Sequence, residues 1–429
     1  MKKNFTEVSY WLGLLWLPGF IALQGIPHTG SLRTLFSLVG IIHVVILVRR
    51  SPAPAVWPRL GIEAWVLAIL SGWLLFQSAF VSNTPLASLT ELGSEWLKLV
   101  LMVILGVWLV AKMGKVNGQL NWLPMGLFLG YFIHVIATLA YQLWSYLTLG
   151  HLMPGFSFFG NYGYASPPVS VAFAFLLAEL VLRQRGQKWL PLSNAWLLVV
   201  FVATLLAVAV LASKAGMIAA FLLLVTATGV VIASFRSAHR VALLLAGITI
   251  LLIIVGMGVS NRWHGASAAI HTVMSSPIDL EPFSNSAVKQ VDESFYVRAA
   301  YAKIGLQGMA EHPLGLGYGS DAFGRYALEL GGAKGLVSSH SGWVDFVLAN
   351  GIPGLLLLLL LFGVVVRRGW FAYRANSPVG LALMFVVLNF AMRSLLDGHL
   401  FGSRFVGFAF VAAVLWAFAV IGDNRQQSS

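Results

Sequence analysis

Stretches of roughly 20 apolar residues recur along the whole chain, and they restrict its fold more than any other feature. Each stretch is long enough to cross a hydrocarbon core of roughly 30 Å as an α-helix, which satisfies its own backbone hydrogen bonds. Since 59% of the 429 residues are hydrophobic and 10% are charged, the composition excludes a soluble globular protein. We predict an all-α polytopic membrane protein with about 12 transmembrane helices. The predicted spans are 8–27, 32–48, 61–81, 96–112, 122–144, 167–183, 190–212, 215–234, 241–260, 343–366, 378–395 and 403–422.

Basic residues predict the orientation of these helices. If the N-terminus is cytoplasmic, more than half of the 27 lysines and arginines face the cytoplasm, as the positive-inside rule requires, and both termini are expected there. Lys2 and Lys3 fit the n-region of a signal peptide, but no small-residue cleavage site follows them, so we predict a membrane anchor. The net charge of +12 leaves further cations on the extracytoplasmic side, where anionic lipid head groups or diphosphates can bind.

The chain divides into three predicted segments. These are residues 1–260 with transmembrane helices one to nine, residues 261–342 as one long extracytoplasmic loop that contains short helices, and residues 343–429 with the last three helices and a cytoplasmic tail. Within the loop, helical composition over 292–311 is followed by a Gly-rich turn at 315–323 and a second short helix up to about Leu330. Ser341 can cap a third helix, which the sequence Gly-Ile-Pro-Gly at 351–354 breaks or kinks.

Two motifs have a specific spacing. His340 and Ser341 are followed, after nine further residues, by Gly351-x-x-Gly354, and Arg298 lies on the predicted helix before the sequence PLGLGYG (313–319). Together with the layout of the helices and the long loop, these motifs resemble the O-antigen ligase family of membrane glycosyltransferases.

The resemblance implies a multi-pass protein of the bacterial inner membrane whose active site faces the periplasm. It implies transfer of an O-antigen polysaccharide from undecaprenyl diphosphate, the donor, to a sugar hydroxyl of lipid A-core, the acceptor, with inversion and without a metal or other cofactor. The expected partners are therefore these two substrates and membrane lipids, and no nucleic acid.

His340 is the residue that we expect to carry the chemistry. A sugar hydroxyl must lose its proton as it attacks an anomeric carbon, and an imidazole accepts a proton readily near neutral pH. A helix that begins after Ser341 would direct its positive end towards the ring and favour the neutral base. Without the motif, a histidine that caps this helix or lies in the membrane interface would be the simpler interpretation. We predict that His340 is the general base and that Ser341 is the N-cap that directs it.

Cationic side chains form the second part of the predicted site. The guanidinium of Arg298 can bind two oxygens of the diphosphate leaving group, although a solvated helix face is the alternative. Lys214 interrupts two apolar stretches, where a charge is costly and suggests a function. The family usually has Ser-Arg at this break, so Ser213-Lys214 keeps the charge and loses the bidentate fork. A lysine that snorkels to the interface is an equally good interpretation of Lys214.

A short turn near the C-terminus holds further charges. Arg393, Asp397, His399 and Arg404 surround this turn, and we predict that Arg393 and Arg404 help to bind the diphosphate. An ion pair between Arg393 and Asp397 at i,i+4, which closes the end of a helix, is the simpler interpretation of those two residues. The chain has no cysteine and no His/carboxylate cluster with ligand spacing, so we predict no metal site.

Three other functions remain open at this point. An O-antigen polymerase and a ligase that glycosylates pilin-like proteins would use the same donor, and the sequence separates them poorly from an O-antigen ligase. A secondary transporter or lipid flippase is the alternative from another class, and Lys214 within the membrane would suit it. Against transport, the chain shows no inverted repeat, and its long loop carries helices that transport does not require.

Overall fold

The structure of the protein is a computed structural model that describes residues 2–24, 26, 28–50, 61–113, 122–211, 213–234, 247, 266–277, 293–331 and 336–426. Most of these residues are helical. The α-helices are α1 (Lys2–Leu23), α2 (Gly30–Arg50), α3 (Ile62–Phe76), α4 (Pro85–Glu91), α5 (Leu97–Met113), α6 (Trp122–Leu149), α7 (Tyr162–Arg183), α8 (Asn194–Leu211), α9 (Lys214–Ser234), α10 (Ala266–Ser275), α11 (Glu293–Glu311), α12 (Ala322–Glu329), α13 (Gly342–Arg374), α14 (Pro378–Ser394) and α15 (Gly402–Gln426). The π-helical segment Gln77–Val81 extends α3, and Leu92–Trp96 joins α4 to α5. An antiparallel hairpin of β1 (Phe156–Ser157) and β2 (Gly160–Asn161) precedes α7.

The described residues confirm an all-α polytopic membrane fold. Eight helical segments are long and apolar enough to cross a membrane by length and composition: Ile62–Val81, Pro85–Ala111, Trp122–Leu149, Tyr162–Arg183, Asn194–Leu211, Lys214–Ser234, Gly342–Arg374 and Gly402–Ile421. Shorter apolar helices cover Trp11–Leu23, Gly30–Ile46 and Pro378–Ser394. Every predicted span except the ninth overlaps one of these helices. Apart from residue 247, the ninth span, 241–260, lies outside the described residues, so the count of twelve stays a prediction.

The centre of the bundle is formed by α7, α14 and α15. The apolar window of α7 is 89% buried, whereas that of α3 is 28% buried, so α7 is surrounded by other helices and α3 lies at the periphery. In the described part, α14 packs against α7, α9, α13 and α15, while α3 packs on α13 and α5 on α15. Helices that are apolar all round suit both positions, because the inner ones contact other helices and the outer ones contact lipid.

Helix α7 begins at Tyr162, earlier than the predicted span at 167–183. The side chain of Asn161 caps it, because its Oδ1 accepts a hydrogen bond from the Gly163 N–H at 3.0 Å. The prediction placed Pro167 in the first turn, the position at which proline is most common. The additional residues bring Gly163 and Ser166 to the end of the bundle where α13 and α15 begin and α14 ends, which we call the site end.

The opposite end of the bundle is held by a buried carboxylate. Glu179 accepts hydrogen bonds from the backbone N–H groups of Trp189 at 2.9 Å and Leu190 at 3.0 Å, and it forms an ion pair with Arg183 at 2.7 Å. These contacts fix the chain between α7 and α8 and neutralise a charge that would be costly in the interior.

Short helices cover the site end. The two that the sequence predicts in the long loop are present as α11 and α12, and α11 packs on α13 and α10. The Lys303 ammonium on α11 donates to the carbonyl oxygens of Val273 at 2.9 Å and Ser276 at 2.5 Å, which holds α10 against α11. Residues 261–265, 278–292 and 332–335 of the predicted loop lie outside the described residues.

Candidate active site

His340 lies at the start of α13, in a turn made by serine side chains. Ser341 is the N-cap as predicted, and its Oγ accepts from the Val344 N–H at 3.5 Å. Ser339 Oγ accepts from the Ser341 N–H at 3.1 Å and donates to the Ser341 carbonyl at 3.0 Å. His340 is exposed and has a φ of 59°, a left-handed conformation that is uncommon for a residue with a side chain. The turn therefore presents the imidazole to solvent at the positive end of a long helix.

The predicted break in α13 is a kink at Gly351, where φ is 71° and ψ is 177°. Here the helix meets the backbone of the PLGLGYG segment (313–319). The Leu316 and Gly317 N–H groups donate to the carbonyls of Leu348 at 2.8 Å and Ala349 at 3.0 Å, and the Ile352 N–H donates to Pro313 at 2.8 Å. The two motifs thus dock through their main chains.

Side chains of α3 complete the hydrogen bonding of the kink. The Trp73 indole N–H donates to the Asn350 carbonyl at 2.8 Å, and the Gln77 amide donates to the Ala349 carbonyl at 2.9 Å. A Cβ at Gly354 would lie 3.1 Å from Trp73 Nε1, so Gly354 leaves room for the indole. Carbonyls freed by a kink within a membrane helix need such partners. Gly351 therefore forms the kink, and Gly354 leaves space for the side chain that binds it.

The turn between α14 and α15 concentrates charge at the site end. The Arg393 guanidinium is buried, donates to Ser166 Oγ at 2.8 Å and forms an ion pair with Asp397 at 2.5 Å. This is the predicted i,i+4 pair. Arg404 is half-buried; it lies 3.0 Å from His399 Nδ1 and donates to the Gly163 carbonyl at 2.8 Å.

Asp397 is the electrostatic centre of this turn. Burial raises the pKa of its carboxyl, but the charge of Arg393, the neighbouring His399 and the more distant Arg298 outweigh burial and hold the pKa well below its ordinary value. Burial lowers the pKa of His399 to about 4, although Asp397, which lies 3.3 Å away, acts in the opposite direction. The carboxylate is therefore charged and His399 is neutral near pH 7.

Arg298 and Lys214 approach the same end from α11 and α9. Arg298 is half-buried and donates to the hydroxyl of Ser294 one turn earlier on α11. The Lys214 ammonium lies over the Phe295 ring of α11, 4.2 Å from its centroid. Lys214 thus contacts α11 one turn before Arg298, and the charge of Arg298 acts on Asp397 in the α14–α15 turn.

Contacts between the elements bring the predicted residues together. The Tyr301 ring, one turn after Arg298 on α11, lies nearly parallel to the His340 imidazole at a centroid separation of 6.2 Å. The Gly342 N–H donates to the Asp397 carbonyl at 3.1 Å, which joins the start of α13 to the charged turn. His340 and four cationic side chains, those of Arg298, Lys214, Arg393 and Arg404, therefore lie at one end of the bundle.

The cationic side chains at the site end differ in their exposure to solvent. Arg298 and Arg404 are half-buried, so part of each side chain is accessible to solvent. Arg393 is 2% exposed, and Ser166 and Asp397 occupy its guanidinium. This burial favours a role for Arg393 in holding the turn over direct contact with a substrate.

A cavity of about 590 Å³ lies elsewhere, between α3, α5, α13 and α15. Its walls are mostly apolar, with side chains such as Leu67, Val103, Phe362 and Phe408. None of the predicted site residues lines it, so this cavity is not the candidate active site.

The sequence did not indicate the residue that holds the turn before His340. Asp345, one turn into α13, accepts hydrogen bonds from Ser338 and Ser339, the two residues before His340. An acidic residue in the first turn of a helix is ordinarily explained by the helix dipole, which hid this role. A carboxylate inside a predicted membrane span was the available signal.

Comparison with known proteins supports the predicted family. Residues 197–359 match the family model described as O-antigen ligase. The matched region includes Lys214, Arg298, His340, Gly351 and Gly354, and it ends before Arg393 and Arg404. No curated protein matches the chain.

Proposed function

Since residues 197–359 match the O-antigen ligase family model, we propose that the protein transfers O-antigen polysaccharide from undecaprenyl diphosphate to a sugar hydroxyl of lipid A-core. The observation that carries this proposal is the position of His340, within the matched region and next to a cationic site end. The exposed imidazole of His340 lies beside the Tyr301 ring of α11, and Tyr301 follows the half-buried Arg298 by one helical turn.

The reaction is a direct displacement at the anomeric carbon. His340 accepts the proton of the acceptor hydroxyl while the acceptor oxygen forms a bond to the anomeric carbon. The bond from that carbon to the diphosphate oxygen breaks on the opposite face, so the configuration inverts, and the imidazolium then returns its proton to solvent. Undecaprenyl diphosphate leaves with the bonding electron pair.

Positive side chains stabilise the charge that develops on the leaving diphosphate. Arg298 is the leading candidate because its fork can bind two oxygens and because its side chain is partly exposed. Lys214 and Arg404 contribute charge from α9 and α15. Arg393 acts indirectly, by holding Asp397 and the turn that carries Arg404.

The basic residues favour a periplasmic site. Arg183 and Arg374 end α7 and α13 at the opposite end of the bundle, where the positive-inside rule places the cytoplasm of a bacterial inner-membrane protein. The site end would then face the periplasm, and both termini would be cytoplasmic.

Reconstitution with both substrates tests the function. Purified protein in proteoliposomes should convert lipid A-core and polysaccharide-linked undecaprenyl diphosphate into lipid A-core that carries the polysaccharide. Elongation of the lipid-linked glycan without transfer to lipid A-core would show a polymerase, which the matched domain also fits. Uptake or flipping of lipid without any glycosyl product would contradict both enzymatic functions.

A deletion strain separates the two enzymes independently. Loss of a ligase should leave lipid A-core bare while long lipid-linked polymer accumulates. Loss of a polymerase should leave single repeat units attached to lipid A-core.

A further inference from the structure

Asp345 is a buried carboxylate whose position needs an explanation. It is 3% exposed and lies in the first turn of α13. In the described part of the chain, no lysine or arginine forms an ion pair with it. A buried charge without a counter-charge is costly, so a carboxylate in this position indicates either strong hydrogen bonding or a function.

Both carboxylate oxygens of Asp345 bind the turn that precedes His340. Oδ1 accepts the Ser339 backbone N–H at 2.8 Å, and Oδ2 accepts the Ser338 hydroxyl at 2.7 Å. The Ser338 oxygen in turn accepts the His340 backbone N–H at 3.1 Å. A continuous chain of hydrogen bonds therefore runs from Asp345 through Ser338 to the backbone of His340.

This chain holds a backbone conformation that is unfavourable for histidine. The φ of 59° at His340 lies in the left-handed region, where the Cβ of a residue other than glycine comes too close to the backbone. Such a conformation persists where the surrounding structure fixes it. Asp345 fixes the two residues before His340, and the α13 N-cap at Ser341 fixes the residue after it.

The α14–α15 turn closes over these hydrogen bonds. A Cβ at Gly398 would lie 3.2 Å from Ser338 Oγ and 3.5 Å from Asp345 Oδ2. Other charged groups that face this region are Arg298 on α11 and Arg393, Asp397 and Arg404 around the turn.

We propose that Asp345 is a positioning residue for His340, which it orients through Ser338 and Ser339. This inference rests on the proposed function, because it assigns to Asp345 the task of holding the general base. Asp345 does not touch substrate. It resembles in its action the carboxylate that orients a catalytic histidine in other enzymes, with the difference that it binds the backbone of the turn.

The transfer assay with purified variants tests the inference. Asp345→Ala should lower kcat by about 100-fold with little change in the KM for the lipid-linked donor, because a misplaced base affects the chemical step. Asp345→Asn should recover most of this loss, since its amide oxygen can accept the Ser339 N–H and its NH₂ can donate to Ser338. Ser338→Ala should lower kcat less than Asp345→Ala does, since the Ser339 hydrogen bond remains.

Double variants decide whether Asp345 acts through His340. In the His340→Ala background, Asp345→Ala and Ser338→Ala should cause no further loss of the residual rate. An equal loss in both backgrounds, or full activity of Asp345→Ala, would overturn the inference. If Asp345→Ala does not fold, Ser338→Ala alone provides the same comparison between the two backgrounds. Full activity of His340→Ala itself would instead overturn the proposed function, so the two failures are distinguishable.

Discussion

Alanine in place of Gly351 should destabilise the protein strongly. The backbone there has φ 71° and ψ 177°, a region that only glycine adopts readily and that costs another residue about 1–3 kcal/mol. An added Cβ would lie 2.4 Å from the Leu314 carbonyl carbon and 2.6 Å from the Pro313 carbonyl oxygen. Both contacts are with main-chain atoms, so the docked segment must move rather than a side chain.

The size of the effect follows from the bonds that this movement disturbs. Three backbone hydrogen bonds join the kink to residues 313–317, and each contributes about 1 kcal/mol net. Together with the backbone conformation, we expect Gly351→Ala to lower the free energy of unfolding by about 4–6 kcal/mol.

Gly363→Ala is the matched control because it lies in the same helix. A Cβ at Gly363 would meet nothing within 4 Å, so this change should be neutral or stabilise by up to about 1 kcal/mol. Unfolding of both variants in mixed micelles with increasing dodecyl sulfate, followed by tryptophan fluorescence, measures the difference. Equal stability of Gly351→Ala and Gly363→Ala would refute the docking of the two motifs.

Three further predictions concern charges at the two ends of the bundle. Because the pKa of Asp397 lies below its ordinary value, its carboxylate stabilises the fold above about pH 4, and this contribution is lost as the pH falls through the folded-state pKa. Asp397→Asn should abolish that acid dependence. It should also lower the free energy of unfolding by about 3–5 kcal/mol, because Arg393 stays buried without its counter-charge. Unfolding at several pH values measures both effects. Lys214→Arg should keep or increase transfer activity, whereas Lys214→Met should lower it about tenfold. Titration of each variant with the donor measures this difference. Equal activity of the two variants would exclude an effect of the charge. Glu179→Ala should lower the free energy of unfolding by about 3–5 kcal/mol, because it removes the partner of Arg183 and of two backbone N–H groups. It should leave kcat of the folded protein unchanged, since Glu179 lies at the end of the bundle opposite to the site end. A change in kcat would contradict that placement.

The layout of the membrane helices was predictable because each helix carries its own signal. An apolar stretch must be about 20 residues long to cross the bilayer, whatever it packs against. Boundaries were less certain where local signals compete. At α7 the two prolines indicated a start at 167, whereas the Asn161 cap allows the helix to begin at Tyr162.

The local parts of the candidate site were also predictable. The Ser341 cap and the kink at Gly351 depend on a few adjacent residues, so their sequence signals are sufficient. The i,i+4 pair of Arg393 and Asp397 follows from helical spacing alone.

Contacts between distant elements could not be read from the sequence. Ser166 binds Arg393 and Gly163 binds Arg404 across more than 220 positions of sequence, and neither has a motif that indicates its partner. The packing of α7 against α14 and α15 creates both contacts. That packing also buries Arg393, which sequence analysis considered as a direct ligand of the diphosphate.

The rate of polysaccharide transfer by His340→Ala is the most direct test of the proposed base. In purified protein with saturating donor and lipid A-core, this variant should lose about 10²–10⁴-fold in kcat, the usual contribution of a general base. His271→Ala is its matched control, because His271 is an exposed histidine on α10 at the same end. Transfer by His340→Ala at the rate of wild type and of His271→Ala would contradict the assignment of His340 as the base.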